Sequence, residues 1–262
     1  MLPFAAMWRH PPSRRFWTWH RWLGLALLLP LVWWTGTALV FALRPIEEVR
    51  GRTWSTGRNP APATLSAAGL PGPESLKGVR SLAIRVVEGQ QVLILDRGAD
   101  QAPEVLAQAD LRPLGTAIPI SWALDAARRD FAGHFEPESV YLFPRQGPGR
   151  RVGGAGPETL ERPEEYGGPL PAYAIHLRGW PGMHLYVDGL DGEIRARRTS
   201  LWRLYDVAFQ LHALDFLPDW AKRFLMALVV VAWVGLGVSG LRLGVAWLRR
   251  PAPRKAAAPP LP

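Results

Sequence analysis

Cysteine is absent from the 262 residues, which excludes disulfides, thiolate metal sites, iron–sulfur clusters and cysteine nucleophiles. Any redox chemistry would therefore have to come from a bound cofactor. Charge is also missing over two long stretches, from Trp22 to Leu43 and from Phe224 to Leu241. Crossing the hydrocarbon core of a bilayer takes roughly 20 apolar residues in a helix, so both stretches are expected to span a membrane. The second continues to Leu248, with Arg242 long enough to snorkel toward the headgroups. Familiar catalytic signatures are missing too. There is no G-x-S-x-G elbow, and the glycines at 153–156 lack the lysine and the strand–helix context of a phosphate loop. Glu47–Glu48 and Glu164–Glu165 are adjacent loop pairs whose side chains point apart, so neither implies general acid–base work. No catalytic residue is assigned.

Positive charge is plentiful, with a net formal charge of +9. Much of it flanks the apolar runs. Arg9, Arg14, Arg15 and Arg21 precede the first, and Arg249, Arg250, Arg254 and Lys255 follow the second. By the positive-inside rule both termini are cytoplasmic and the middle of the chain lies across the membrane. In a bacterium that means the inner membrane and a periplasmic central domain. Topology and anionic lipid account for this clustering, and no nucleic-acid motif accompanies it. The expected partner is the lipid bilayer, not nucleic acid. A cleaved signal peptide is the competing reading of the first run. Its length, Trp33, Trp34 and the interrupting Pro30 favour a retained anchor.

The expected organisation runs as follows. Residues 1–21 form a basic cytoplasmic tail, 22–43 the first transmembrane helix and 44–78 a Pro/Gly-rich tether. Residues 79–200 form an α+β domain, 201–218 an amphipathic interfacial helix, 219–248 the second span and 249–262 a Pro/Ala-rich tail. Within the domain, alternating runs at 79–87 and 91–96 joined by Glu88, Gly89 and Gln90 predict a β-hairpin. "PISWALDAARRDF" predicts a short helix with Ser121 as N-cap. "ESVYLFPR", "AYAIHLRG", "MHLYVDG" and "LDGEIRARR" predict strands of an antiparallel sheet, and 146–169 reads as a long irregular loop, functional or mobile. "QQVLILDRG" and "MHLYVDGLDG" echo each other as strands ending in Asp before a turn. The fold class is an α+β membrane protein, with two transmembrane helices flanking an extramembrane antiparallel sheet that carries one or two helices.

Three stretches carry a family resemblance. "WHRWLGLALLLPLVWWTGTALVF" resembles the first helix of the PepSY-associated transmembrane proteins, with His20–Arg21 opening the span, then Leu23–Gly24 and Thr35–Gly36. "SWALDAARRDF" with "YLFP", followed by "YAIHL" and "HLYVDGLDGEI", is similar to a PepSY unit of helix, strand and Asp–Gly hairpin. "LYDVAFQLHALDF" before "GVSGLRL" resembles the closing segment. The resemblance implies an iron-regulated bacterial inner-membrane protein. Some members look like haem-containing ferric-siderophore reductases, but these generally carry four spans, whereas this chain has two.

Under that resemblance His20 and His212 are the candidate axial ligands of a haem b, both matching histidines of the family's motifs. The bland alternative is that they mark the interface beside the Trp belts. If the spans are antiparallel, a full membrane thickness of about 30 Å separates the two, so one chain cannot place both on one iron. Of the remaining histidines, His10 is expected in a solvated tail and His134 in a turn. If their strands pair, His176, His184 and Asp188 share a face and resemble a two-histidine, one-carboxylate metal site. A surface coincidence is the alternative.

Two function classes follow. One is a haem-bearing protein assisting iron–siderophore or metal uptake by electron transfer. The other is a non-enzymatic anchored accessory protein whose PepSY-like domain binds a peptidase or an uptake complex. Gly235, Gly237, Gly240 and Gly244, the last two a G-x-x-x-G pair, predict homo- or hetero-oligomers through the transmembrane helices in either case.

Overall fold

The structure is a computed structural model and describes residues 12–57 and 69–249. His10 and the outermost basic residues therefore lie outside the described residues. The chain divides into two compact units, Met1–Val40 with Ala208–Pro262, and Phe41–Val207.

The first unit is helical. Helix α1 spans Arg14–Leu43 and α5 spans Asp219–Leu248. At about 1.5 Å per residue each is about 45 Å long, ample for a bilayer. Both are apolar enough to cross one. Their side chains are largely exposed, Leu29 at 77% and Val231 at 69%, as lipid-facing surfaces should be. α1 begins at Arg14, so Arg14, Arg15 and Arg21 belong to the helix and not to a tail. Pro30 sits inside it without ending it. Helix α4, Ser200–Ala213, precedes α5, and Pro218 caps the start of α5, where a proline's missing N–H costs nothing.

The second unit is α+β. Its strands are β1 Ser81–Val87, β2 Gln90–Asp96, β3 Glu104–Ala107, β4 Pro113–Gly115, β5 Pro137–Phe143, β6 Gly149–Gly154, β7 Thr159–Leu160, β8 Ala172–Leu177, β9 His184–Asp188 and β10 Ile194–Arg198. They form two antiparallel sheets, ordered β1-β2-β3-β4 and β10-β9-β8-β5-β6-β7, where the sequence suggested one. The segment 146–169 is not wholly irregular, since it contributes β6 and β7. Helix α3, Ile120–Asp130, is capped by Pro119; Ser121 lies inside it and is not the cap. Residues 44–57 were expected to be a tether, yet they hold α2 (Ile46–Val49) and a 3₁₀ turn at Arg52–Trp54. Val49 is buried and Trp54 stacks on Phe131.

One core joins both sheets through α3. Val92, Ile94 and Val105 of the small sheet meet Ala123, Ala126 and Ala127 of α3 and Ile175, Leu177, Leu185 and Val187 of the large one. The opposite face of the large sheet is buried as well, beneath Tyr166, with Tyr141, Ala172, Ala174 and Tyr186. Strands alternate their side chains between faces, so every second residue of β8 and β9 enters this second layer. There the candidate site lies.

Candidate functional site

Within the helical unit His20 and His212 each bond to another helix. Ser239 Oγ donates to the Leu236 carbonyl at 2.9 Å and lies 2.7 Å from His20 Nδ1. With the serine proton already committed, Nδ1–H of His20 is the donor. The same logic holds for His212. Thr37 Oγ1 donates to the Trp33 and Trp34 carbonyls at 3.0 and 3.1 Å, and His212 Nδ1 stands 2.9 Å from it, so His212 donates. Trp33 and Trp34 add indole N–H bonds to the carbonyls of Leu211 and His212, each at 3.0 Å. These carbonyls belong to the last turn of α4, where a helix leaves its carbonyls short of partners; that of Leu211 also accepts from the Leu214 amide at 3.3 Å. The two indoles add donors to these carbonyls from α1.

These bonds place His20 and His212 at different depths. His212 sits against Thr37, seventeen residues along α1 from His20, which is about 25 Å of helix rise at about 1.5 Å per residue. A porphyrin iron needs both axial nitrogens at bonding distance. A haem held by His20 and His212 of one chain therefore does not fit. A cavity of about 670 Å³ in this unit is lined by apolar side chains including Leu23, Pro30, Trp34 and Phe216, none of them suited to catalysis.

The extramembrane unit carries a denser arrangement. Ser139, His176, His184 and Arg198 form one row across β5, β8, β9 and β10, each the register partner of the next. The imidazoles of His176 and His184 stack with centroids 3.8 Å apart and planes at 17°. Glu165 comes down on this row from the 161–169 segment. Its Oε1 accepts from His184 Nδ1 at 2.6 Å and from the Tyr186 hydroxyl at 2.7 Å, and its Oε2 accepts from Arg203 Nε of α4 at 3.1 Å. The segment is held by Tyr166, which stacks on Tyr186 at 4.5 Å and donates its hydroxyl to the Pro169 carbonyl.

The electrostatics follow from burial and partners. Burial alone would raise the Glu165 carboxyl, but the His184 and Tyr186 hydrogen bonds and the Arg203 charge outweigh it and hold it at about 2. Burial lowers His176 to about 4, with a smaller push from neighbouring His184. His176 is therefore neutral near pH 7, while Glu165 is charged and Tyr186, raised by burial and by Glu165, stays protonated. Two polar atoms of this cluster, His176 Nε2 and Arg203 Nη2, are buried without a hydrogen-bond partner among the described residues. Both side chains line a cavity of about 470 Å³ whose walls include Leu160, Pro163, Trp202 and Val207. A mostly apolar pocket with a few convergent polar groups has the composition of a small-ligand site.

A family profile described as "PepSY-associated TM region" matches residues 2–250. The chain belongs to this family. No curated protein and no solved structure matches it. As a PepSY-associated transmembrane protein it is a membrane protein whose two spanning helices flank an antiparallel α+β domain.

Several sequence expectations meet this geometry differently. The structure pairs His176 with His184 and leaves both half-buried, with only Ser139 of the row fully buried. Asp188 is no part of it, because it accepts from Arg195 Nε and from the Leu190 amide. No group of three or more metal-capable side chains occurs among the described residues. The carboxylate that does meet His184 is Glu165, dismissed above as half of an adjacent loop pair; its neighbour Glu164 is the exposed one. The only sequence signal for it was its place in a long loop rich in turn residues, which cannot say where a loop lands. His134 lies in a loop, 88% exposed, 3.7 Å from Glu136. Of the glycines, Gly235 faces Trp19 and Leu23, and Gly240 faces His20. Those two admit α1 against α5 within one PepSY-associated chain.

Proposed function

We propose that the chain is a non-enzymatic accessory protein of the bacterial inner membrane, with both termini cytoplasmic and the Phe41–Val207 unit periplasmic. That unit binds a partner, a peptidase or a component of an uptake complex. The observation carrying this reading is the pair of buried, unpartnered polar atoms, His176 Nε2 and Arg203 Nη2, at a largely apolar pocket. An unmade buried hydrogen bond costs about 1–3 kcal/mol, and a fold keeps such a cost where something else is to be satisfied. The basic residues beside the spans support the orientation, and a periplasm-only reporter fused after residue 120 tests it. For binding, a photo-crosslinking residue at Glu164, on the pocket rim, should give one discrete adduct in cells. That adduct should weaken in an Arg203→Met background. The same probe at Asp110, away from the pocket, should give none. Equal labelling from both positions would sink the reading.

A second reading is favoured by one observation. His20 donates from Nδ1, the arrangement in which an imidazole's other nitrogen is presented to a metal. In this reading His20 and His212 of separate copies in a homo- or hetero-oligomer would hold a haem, which would supply one-electron chemistry toward an iron–siderophore. A reduced-minus-oxidised visible spectrum of the purified chain decides it. A haem band lost in His20→Ala and His212→Ala supports it, and a featureless spectrum removes it.

A further inference from the structure

We propose that the pocket beside the stacked histidines receives an uncharged carbonyl oxygen carried by an apolar peptide segment. This proposal rests on the partner-binding reading and names the chemistry of what is bound.

The donors decide the polarity. Arg203 Nη2 can only donate. Nε of the same guanidinium is taken by Glu165, and Nη1 donates to the Gly182 carbonyl at 3.0 Å, so Nη2 alone lacks a partner. For His176 the tautomer follows from Ser139. That buried hydroxyl makes one hydrogen bond among the described residues, to His176 Nδ1 at 3.1 Å. Donating there pairs the hydroxyl proton and leaves Nε2–H as the one unpaired group, whereas the reverse would leave both the hydroxyl proton and the Nε2 lone pair unpaired. Both unpartnered atoms are then N–H donors, and an oxygen acceptor satisfies both.

Charge selects the kind of oxygen. The Arg203 guanidinium is already neutralised by Glu165, which its hydrogen-bond donors keep ionised against the opposing effect of burial. A second carboxylate would have to sit near Glu165 in a partly dry pocket without a cation of its own, a costly arrangement. An amide carbonyl brings the acceptor without the charge. The walls choose its neighbour, since Leu160, Pro163, Trp202 and Val207 surround the space and suit an aliphatic side chain next to that carbonyl. Trp202 is fixed in place by the Arg198 guanidinium, 4.4 Å above its ring. Nη2 and Nε2 are themselves closed off from solvent, so in this proposal the carbonyl reaches them by displacing side chains that line the pocket, with Glu165 staying on Arg203.

The test uses the full chain in nanodiscs with ¹⁵N-labelled histidine and titrates acetyl-leucine-N-methylamide as probe, with acetyl-leucine as the charged comparison. His176 should first read as the Nε2–H tautomer. Its ring resonance should then move saturably with the amide probe, and less with the acid. Arg203→Lys should weaken binding about tenfold, equivalent to about 1.4 kcal/mol, while leaving the resonances of His20, His134 and His212 in place. An Nδ1–H tautomer, no movement with the amide, or stronger binding of the acid would each overturn the proposal. If the Glu164 crosslink forms while the amide fails to bind, the partner-binding reading stands and only the carbonyl proposal falls.

Discussion

His176 and His184 stand directly opposite each other on neighbouring strands, with their rings stacked at 3.8 Å. Two imidazoles this close do not both take a proton without mutual repulsion. Their outer nitrogens are handled differently, His184 against a fixed carboxylate and His176 against a hydroxyl.

The first prediction concerns acid stability. Burial lowers His176 from 6.5 to about 4 in the folded chain, so between those values the unfolded chain binds the extra proton. Its contribution is complete above pH 6.5 and is lost as pH falls toward 4. Thermal unfolding in detergent should show a melting temperature that drops across this window, with part of the slope removed by His176→Phe.

Glu165 and Glu164 should separate sharply. Glu165→Gln takes the charge from an acceptor of three hydrogen bonds and should destabilise the chain by about 3 kcal/mol. Glu164→Gln, on the exposed neighbour, should stay within about 0.5 kcal/mol. Denaturant unfolding of both variants checks the contrast.

The 161–169 segment is held on the sheet through Tyr166. Tyr166→Ala removes its stack on Tyr186 and its bond to Pro169, a loss of about 3 kcal/mol. Cleavage by a glutamate-specific protease at Glu161, Glu164 and Glu165 should become fast in this variant and remain slow in the parent chain.

In the helical unit, Ser239→Ala and Thr37→Val each strip a histidine Nδ1–H of its acceptor. Each should cost about 1 kcal/mol in the bilayer. With about 25 Å of helix between them, the two losses should add to within about 0.5 kcal/mol in the double variant. Steric-trapping measurements of the reconstituted chain test this.

Local pattern made much of the fold legible. Charge-free runs gave both spans, and short runs between turn signals gave β1, β2, β8, β9 and β10, because each signal is set by neighbours in sequence. Alternation even placed His176 and His184 on the face opposite Ile175 and Leu185. It could not show that this face is buried. The cover comes from Tyr166 and Glu165, and a loop's landing place depends on contacts made far along the chain. The short strands β3, β4, β6 and β7 were missed for a related reason, since Glu104–Ala107 and Thr159–Leu160 are too brief to show a period. The hydrogen bonds of His20 and His212 were equally invisible, because Ser239 and Thr37 became meaningful only once helices were paired.

The large sheet is packed on both faces, and that makes β8 unusually intolerant of one kind of change. Losing a single codon within Ala172–Leu177 would turn the imidazole toward α3 and push isoleucine or leucine into the row beneath Glu165. One buried layer would gain an unpaired polar ring, and the other would lose the acceptor that His176 offers the Ser139 proton. A substitution at any one of these six positions damages one layer, whereas an in-frame deletion damages both. Among naturally occurring variants of this strand, changes of residue should therefore far outnumber changes of length.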